Sequence, residues 1–116
     1  MSKTARPEAS TSQQAGIGQR IRWTREAAGL SLRECSEVIG VHYTTLSKIE
    51  NGDRAPSILN IIALSGHFSL PADFFLRGYI RPQVDGDLAL RLVAHHPEIV
   101  LGSKHGDDGR GRLGAE

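Results

Sequence analysis

Apolar residues recur through the middle of the chain at helical spacing. Ile17, Ile21, Thr24 and Ala28 follow one another at steps of four, three and four, which places them on one helix face. Gly29 is a C-cap for that helix. Ser31, with Glu34 three residues on, makes a capping box that opens a second helix. Its apolar face is Cys35, Val38 and Ile39, and Gly40 ends it. Val41 leads into a third helix over about Tyr43 to Asn51, with Leu46 and Ile49 inward and Asn51–Gly52 as its stop. Pro56–Ser57 starts a fourth, running to about Phe68. Its Ile58, Leu59, Ile61, Ile62 and Leu64 are apolar nearly all round, so it is expected at the centre. Pro71 opens a short fifth helix through Leu76, and Gly78 ends it.

Past Arg81–Pro82 the pattern resumes. Asp85 or Asp87 is positioned to cap a sixth helix, Leu88 to about His95, with Leu88, Leu92 and Val93 on one side. Pro97 suits the first turn of a further short helix to Leu101. No sustained period-two alternation occurs, so no sheet is expected and the predicted class is all-α. The two ends lack this patterning. Residues 1–15 are rich in Ser, Thr, Gln and Ala, and residues 103–116 carry Leu113 as their one large apolar residue, so both read as disordered. The expected division is an arm over 1–15, a compact five-helix domain over 16–77, a helical extension over 78–102 and a tail over 103–116.

Composition narrows the class of function. The chain has 116 residues, 39% of them hydrophobic and 23% charged, an ordinary balance for one globular domain. Its longest apolar run, Ile61 to Leu64, is far below the roughly 18–20 residues that span a bilayer. The first residues contain no apolar stretch of the signal-peptide kind. The single Cys35 excludes an intramolecular disulfide and a cysteine-rich zinc site. A soluble, cytoplasmic protein is therefore expected, without contact to a membrane. The net charge is only +1, so any nucleic-acid binding must rest on a few placed contacts and helix N-termini.

The informative stretch is residues 29–52, GLSLRECSEVIGVHYTTLSKIENG. Two short helices are joined by a tight turn at Gly40, where glycine permits the left-handed backbone, and Ser36 is small enough for close helix approach. This is helix-turn-helix geometry, whose second helix lies in the DNA major groove. On the stretches IGQRIR, REAAGLS, IGV and LSKIENG and the Pro56–Ser57 start, residues 16–77 resemble the lambda repressor/Cro-type helix-turn-helix (XRE) family. The chain departs from the family pattern in three places. Leu32 stands where a Gln is usual, which removes a usual phosphate-contacting or supporting side chain. Cys35–Ser36 replaces a Leu-Ala pair, and Thr24 replaces an apolar residue.

The resemblance implies base contacts from Tyr43, Thr44 and Lys48. Lysine donates to guanine O6/N7, and threonine offers a methyl or hydroxyl to a base. Ser31, Arg33, His42, Thr45, Asn51 and Arg54 sit near helix starts and the following loop, where free N–H groups, hydroxyls and guanidinium groups attract phosphates. For Ser31 capping alone is an equal competing reading, and for Asn51 the competing reading is a helix stop. Arg25 and Glu50 match a family ion pair that ties the first helix to the end of the recognition helix. Double-stranded DNA and a second copy of the chain are the implied partners. Candidate dimer surfaces are Trp23, the fourth helix and Leu88, Leu92, Val93, Ile99 and Val100. Trp23 reads either as an interface anchor, as a dock for the C-terminal segment or as a lone exposed aromatic. The segment DLALRLVAHHPEIV resembles the C-terminal helices through which some family members dimerise, some of them cleaved or displaced by a protease.

No cofactor or metal is expected. Adjacent His95 and His96 project about 100° apart on a helix, and no carboxylate completes a ligand set at metal spacing. No phosphate-binding Gly loop, nucleophile elbow or zinc-protease helix occurs, so no enzyme is expected. The expected function is a transcriptional regulator, a repressor acting as a homodimer on a palindromic operator. The alternative is an antitoxin or adaptor whose main role is to bind a partner protein such as a toxin; Leu32 and the near-zero charge favour it.

Overall fold

A computed structural model describes residues 8–101; residues 1–7 of the expected arm and the whole expected tail lie outside the described residues. Among the described residues there are seven helices: α1 (Glu8–Ala27), α2 (Leu32–Ile39), α3 (Tyr43–Glu50), α4 (Ile58–Phe68), α5 (Ala72–Arg77), α6 (Pro82–Asp85) and α7 (Asp87–His95). The class is all-α, and a two-residue parallel pairing of β1 (Tyr79–Ile80) with β2 (Val100–Leu101) does not alter it.

Local chemistry sets the helix ends. The Ser31 hydroxyl accepts from the Glu34 N–H at 3.0 Å while the Glu34 carboxylate accepts from the Ser31 N–H at 2.8 Å, so α2 starts on a complete capping box. Ser57 and Asn60 repeat the arrangement at α4. The α2–α3 turn passes through Gly40 at φ 75°, a conformation that costs a side chain its Cβ clearance. Ile21, Cys35, Ile39, Leu46, Ile49, Ile61, Leu64, Phe68, Phe74 and Phe75 meet in one core. The departures at Thr24 and Ser36 are absorbed there. Both are buried, and each hydroxyl donates within its own helix, Thr24 to the Arg20 carbonyl and Ser36 to that of Arg33. Arg20 donates to the carbonyls of Phe75 and Leu76 at 3.0 and 3.1 Å, fastening the end of α5 to α1.

Four expectations need correction. First, residues 8–15 are helical, because α1 begins at Glu8. Tertiary contact supports this weakly apolar stretch: the Gln14 amide donates to the Gly52 carbonyl at 3.2 Å, and a Cβ added to Gly52 would lie 3.0 Å from the Ala15 Cα. Second, α4 lies at the edge of the core, with Ile61, Leu64 and Phe68 inward and Ile58, Leu59 and Ile62 left 75, 70 and 59% exposed. Third, neither aspartate caps α7. Gly86 stands at that position, and the Asp85 carboxylate instead accepts from the Arg81 N–H at 2.7 Å, closing the single turn of α6. Fourth, Pro97–Leu101 is not a helix. It turns at Pro97–Glu98 and then pairs Val100 with Tyr79 and Leu101 with Ile80. A ladder of two residues is too short to leave an alternation in the sequence.

The extension shares the core of the first five helices. Ile80, Ala89, Leu92 and Ile99 belong to the same buried cluster as Ile21 and Leu46. Leu92 and Ile99 are therefore not free to form a dimer surface. Leu88 and Val93 are half-buried and pack against the same cluster. Truncating the fully buried Leu92 to alanine is expected to cost about 2–5 kcal/mol and to lower the whole thermal transition followed by circular dichroism. An unchanged main transition would show that the extension folds apart from the rest.

Candidate nucleic-acid interface

The α3 helix has an inner and an outer face. Leu46, Ile49 and Glu50 are buried; Thr44, Lys48 and Asn51 are exposed, and Tyr43 and Thr45 are half-buried. A buried carboxylate is costly unless paired and fully hydrogen-bonded. Glu50, with a side chain 1% exposed, meets that demand through Arg25. The guanidinium donates from Nε to Oε2 at 2.8 Å and from the terminal nitrogen to Oε1 at 3.0 Å. A second terminal nitrogen of Arg25 donates to the Leu30 carbonyl at 3.1 Å, and Arg22 Nε lies 3.5 Å from Glu50 Oε1. One carboxylate thus joins the end of α3, the body of α1 and the loop before α2. The bond to Glu50 raises the Arg25 pKa, burial opposing it.

Gly18 completes the joint. A Cβ there would overlap the Ile49 carbonyl oxygen and lie 2.8 Å from that of Glu50, so α1 and the last turn of α3 touch backbone to backbone. Cys35 lies in the core below. Burial, with a smaller contribution from Glu50, pushes its thiol up to about 11, which leaves it unreactive.

The outer face is ordered by contacts of its own. His42 caps α3 with its ring. The Thr44 N–H donates to Nδ1 at 3.2 Å, and the Thr44 hydroxyl lies 2.9 Å from the same nitrogen. With Nδ1 accepting, the ring proton sits on Nε2, a free donor at the start of α3. The His42 and Tyr43 rings stack at 4.6 Å, and the Arg33 guanidinium lies 3.9 Å from the Tyr43 ring centroid. Tyr43 therefore bridges α2 to α3, a role that sequence spacing does not show. Arg33 is held against that ring, while Lys48 and Arg54 are exposed. Ser31 is committed to its capping box. Asn51 caps the C-terminal end of α3 through its backbone and leaves its side chain exposed. Leu32, in place of the usual polar residue, packs half-buried against the core.

Trp23 is accounted for inside the monomer. Its indole stacks on His96, with ring centres 4.1 Å apart and planes 15° from parallel, and so docks the segment after α7 onto α1. Beside this stack a cleft of about 390 Å³ is lined by Glu26, Ala27, Arg91 and His95; no α3 residue lines it. Among the described residues no three His, Cys, Asp or Glu side chains are grouped to hold a metal ion. Nor is any described helix long and apolar enough to cross a membrane. Residues 21–75 match the model of a helix-turn-helix family. No curated protein matches the chain.

Arg25→Ala strands the Glu50 carboxylate and is expected to cost about 3–5 kcal/mol, toward the lower end because Arg22 stays within reach. The pair Arg25→Met, Glu50→Leu leaves no charge unpaired and recovers much of that loss. Thermal melts of the three proteins check this. Equal melting temperatures would mean that the ion pair contributes nothing to the fold.

Proposed function

We propose that the protein, whose residues 21–75 match a helix-turn-helix family model of the lambda repressor/Cro-like kind, is a DNA-binding transcription regulator, a repressor that reads a palindromic operator as a homodimer with α3 in the major groove. The observation that carries this reading is the division of labour on α3. Its inner face is locked to α1 through Glu50, and its outer face presents Thr44 and Lys48, which the core does not use.

Lys48 reads guanine in this proposal, and Thr44 contacts a neighbouring base through its methyl or hydroxyl. Tyr43, held by Arg33 and His42, supplies a rigid aromatic edge at the groove wall. Phosphates are met by the Nε2–H of His42, by Thr45, by the Asn51 amide and by Arg54 in the loop after α3. Ser31 and Arg33 contribute less. The hydroxyl of Ser31 already accepts from the backbone, and the Glu34 carboxylate occupies the start of α2, where a phosphate would otherwise sit. The adaptor reading draws support from Leu32, which packs on the protein and offers nothing polar to a backbone. A salt series of gel shifts on genomic fragments separates the two. A regulator loses affinity steeply with salt as counterions are released and retains discrete shifted bands; an adaptor gives none.

Two substitutions sort base reading from phosphate contact. Lys48→Ala is expected to weaken specific binding by about 1–3 kcal/mol and relax preference at one base position. Arg54→Ala is expected to weaken all sequences nearly equally and to lower the salt slope by about one. Competition binding on a panel of singly altered duplexes checks both. Unchanged base preference in Lys48→Ala, or a sequence-dependent loss in Arg54→Ala, would reverse the assignments.

A further inference from the structure

Two opposite charges stand unpaired in one cleft between α1 and α7. Trp23, Glu26 and Ala27 share a face of α1, and Arg91 and His95, four residues apart, share a face of α7. These faces line the cleft of about 390 Å³, and His96, stacked on Trp23, completes it. The α1 wall thus supplies a carboxylate and the α7 wall a guanidinium. Among the described residues, neither side chain makes an ion pair or a hydrogen bond. The other cations of this part of α1 are turned elsewhere: Arg25 grips Glu50, and Arg22 Nε lies 3.5 Å from the same carboxylate.

The volume falls within the roughly 300–1,000 Å³ of small-molecule sites. The charges select the occupant. An anion satisfies Arg91 and is repelled by Glu26, and a cation does the reverse. A zwitterion answers both: its carboxylate meets the guanidinium fork, and its ammonium donates to the Glu26 carboxylate. The rest of the lining is the Ala27 methyl and the rings of Trp23, His95 and His96, which suit a planar apolar ring. We propose that this cleft binds a free amino acid with an aromatic side chain, its carboxylate on Arg91, its ammonium on Glu26 and its ring against Trp23 and Ala27. The site goes beyond the DNA-reading proposal and stands whether or not α3 reads DNA.

Two features set its strength. The Trp23 ring is already held by His96, so little side-chain freedom is lost on binding. Glu26 and Arg91 are exposed, so water screens each ion pair and the affinity is modest. Selectivity for a ligand that carries both charges and a ring is therefore the mark of the site.

Trp23 is the one tryptophan of the chain, so its emission reports on the cleft directly. Titrating the full chain with L-phenylalanine, with excitation where phenylalanine does not absorb, is expected to give a saturable change. Calorimetry with three analogues dissects it. Phenylacetate lacks the ammonium, phenethylamine lacks the carboxylate and L-alanine lacks the ring; each is expected to bind more weakly by roughly fivefold or more. Glu26→Gln is expected to weaken L-phenylalanine binding and leave phenylacetate binding no weaker. Arg91→Gln is expected to weaken L-phenylalanine and phenylacetate and leave phenethylamine binding no weaker. Both side chains are exposed, so the melting temperature is expected to stay unchanged in each variant. No saturable change up to the solubility limit of L-phenylalanine, equal binding of all three analogues, or equal losses for L-phenylalanine and phenylacetate in Glu26→Gln would each overturn the proposal.

Discussion

One buried carboxylate sets the geometry of the molecule's outer face. Glu50 ends the helix that carries Tyr43, Thr44 and Lys48, and its side chain is removed from water. Left alone it would be costly, and the fold removes that cost by bringing α1 close enough for Arg25 to grip both oxygens. The approach is possible because position 18 has no side chain to push the backbones apart. Arg25 reaches on to the Leu30 carbonyl, so the loop that delivers α2 is tied to the same point. The angle of α3 is thus fixed by charge and by contact at its C-terminal end, and by the His42 cap at its start. A helix held at both ends can present a fixed row of side chains at little further entropic cost.

The residues beyond Gly78 serve this core. Ala89, Leu92 and Ile99 fill the space beside α1, and His96 covers Trp23. A reading of the sequence counts Leu92 and Ile99 among the candidate dimer surfaces, beside Trp23 and the fourth helix. Burial takes Leu92 and Ile99 out of that set.

Much of this was legible in the sequence, for identifiable reasons. The 3.6-residue period and the capping signals at Ser31, Gly40 and Ser57 are local, and the five helices they mark are present. The partners Arg25 and Glu50 came from resemblance, since no local rule pairs positions so far apart. What was hidden depends on neighbours that composition does not reveal. Residues 8–15 are polar and small, and their helix is supported by contact with Gly52. The apolar residues of α4 give no hint of which flank lacks a neighbour. The close approach at Gly18 depends on which helix packs there, although a glycine between Ile17 and Ile21 on a packed helix is a usable sign of it. The contact of Arg33 with Tyr43 joins two helices and follows only from their packing.

The claim that the outer face of α3 reads base sequence is tested most directly by selecting duplexes from a random pool with the full chain. An enriched two-fold sequence with half-sites about one helical turn apart is the expected result. A pool that binds at low salt and returns without an enriched sequence would contradict it, because phosphate attraction alone gives that behaviour.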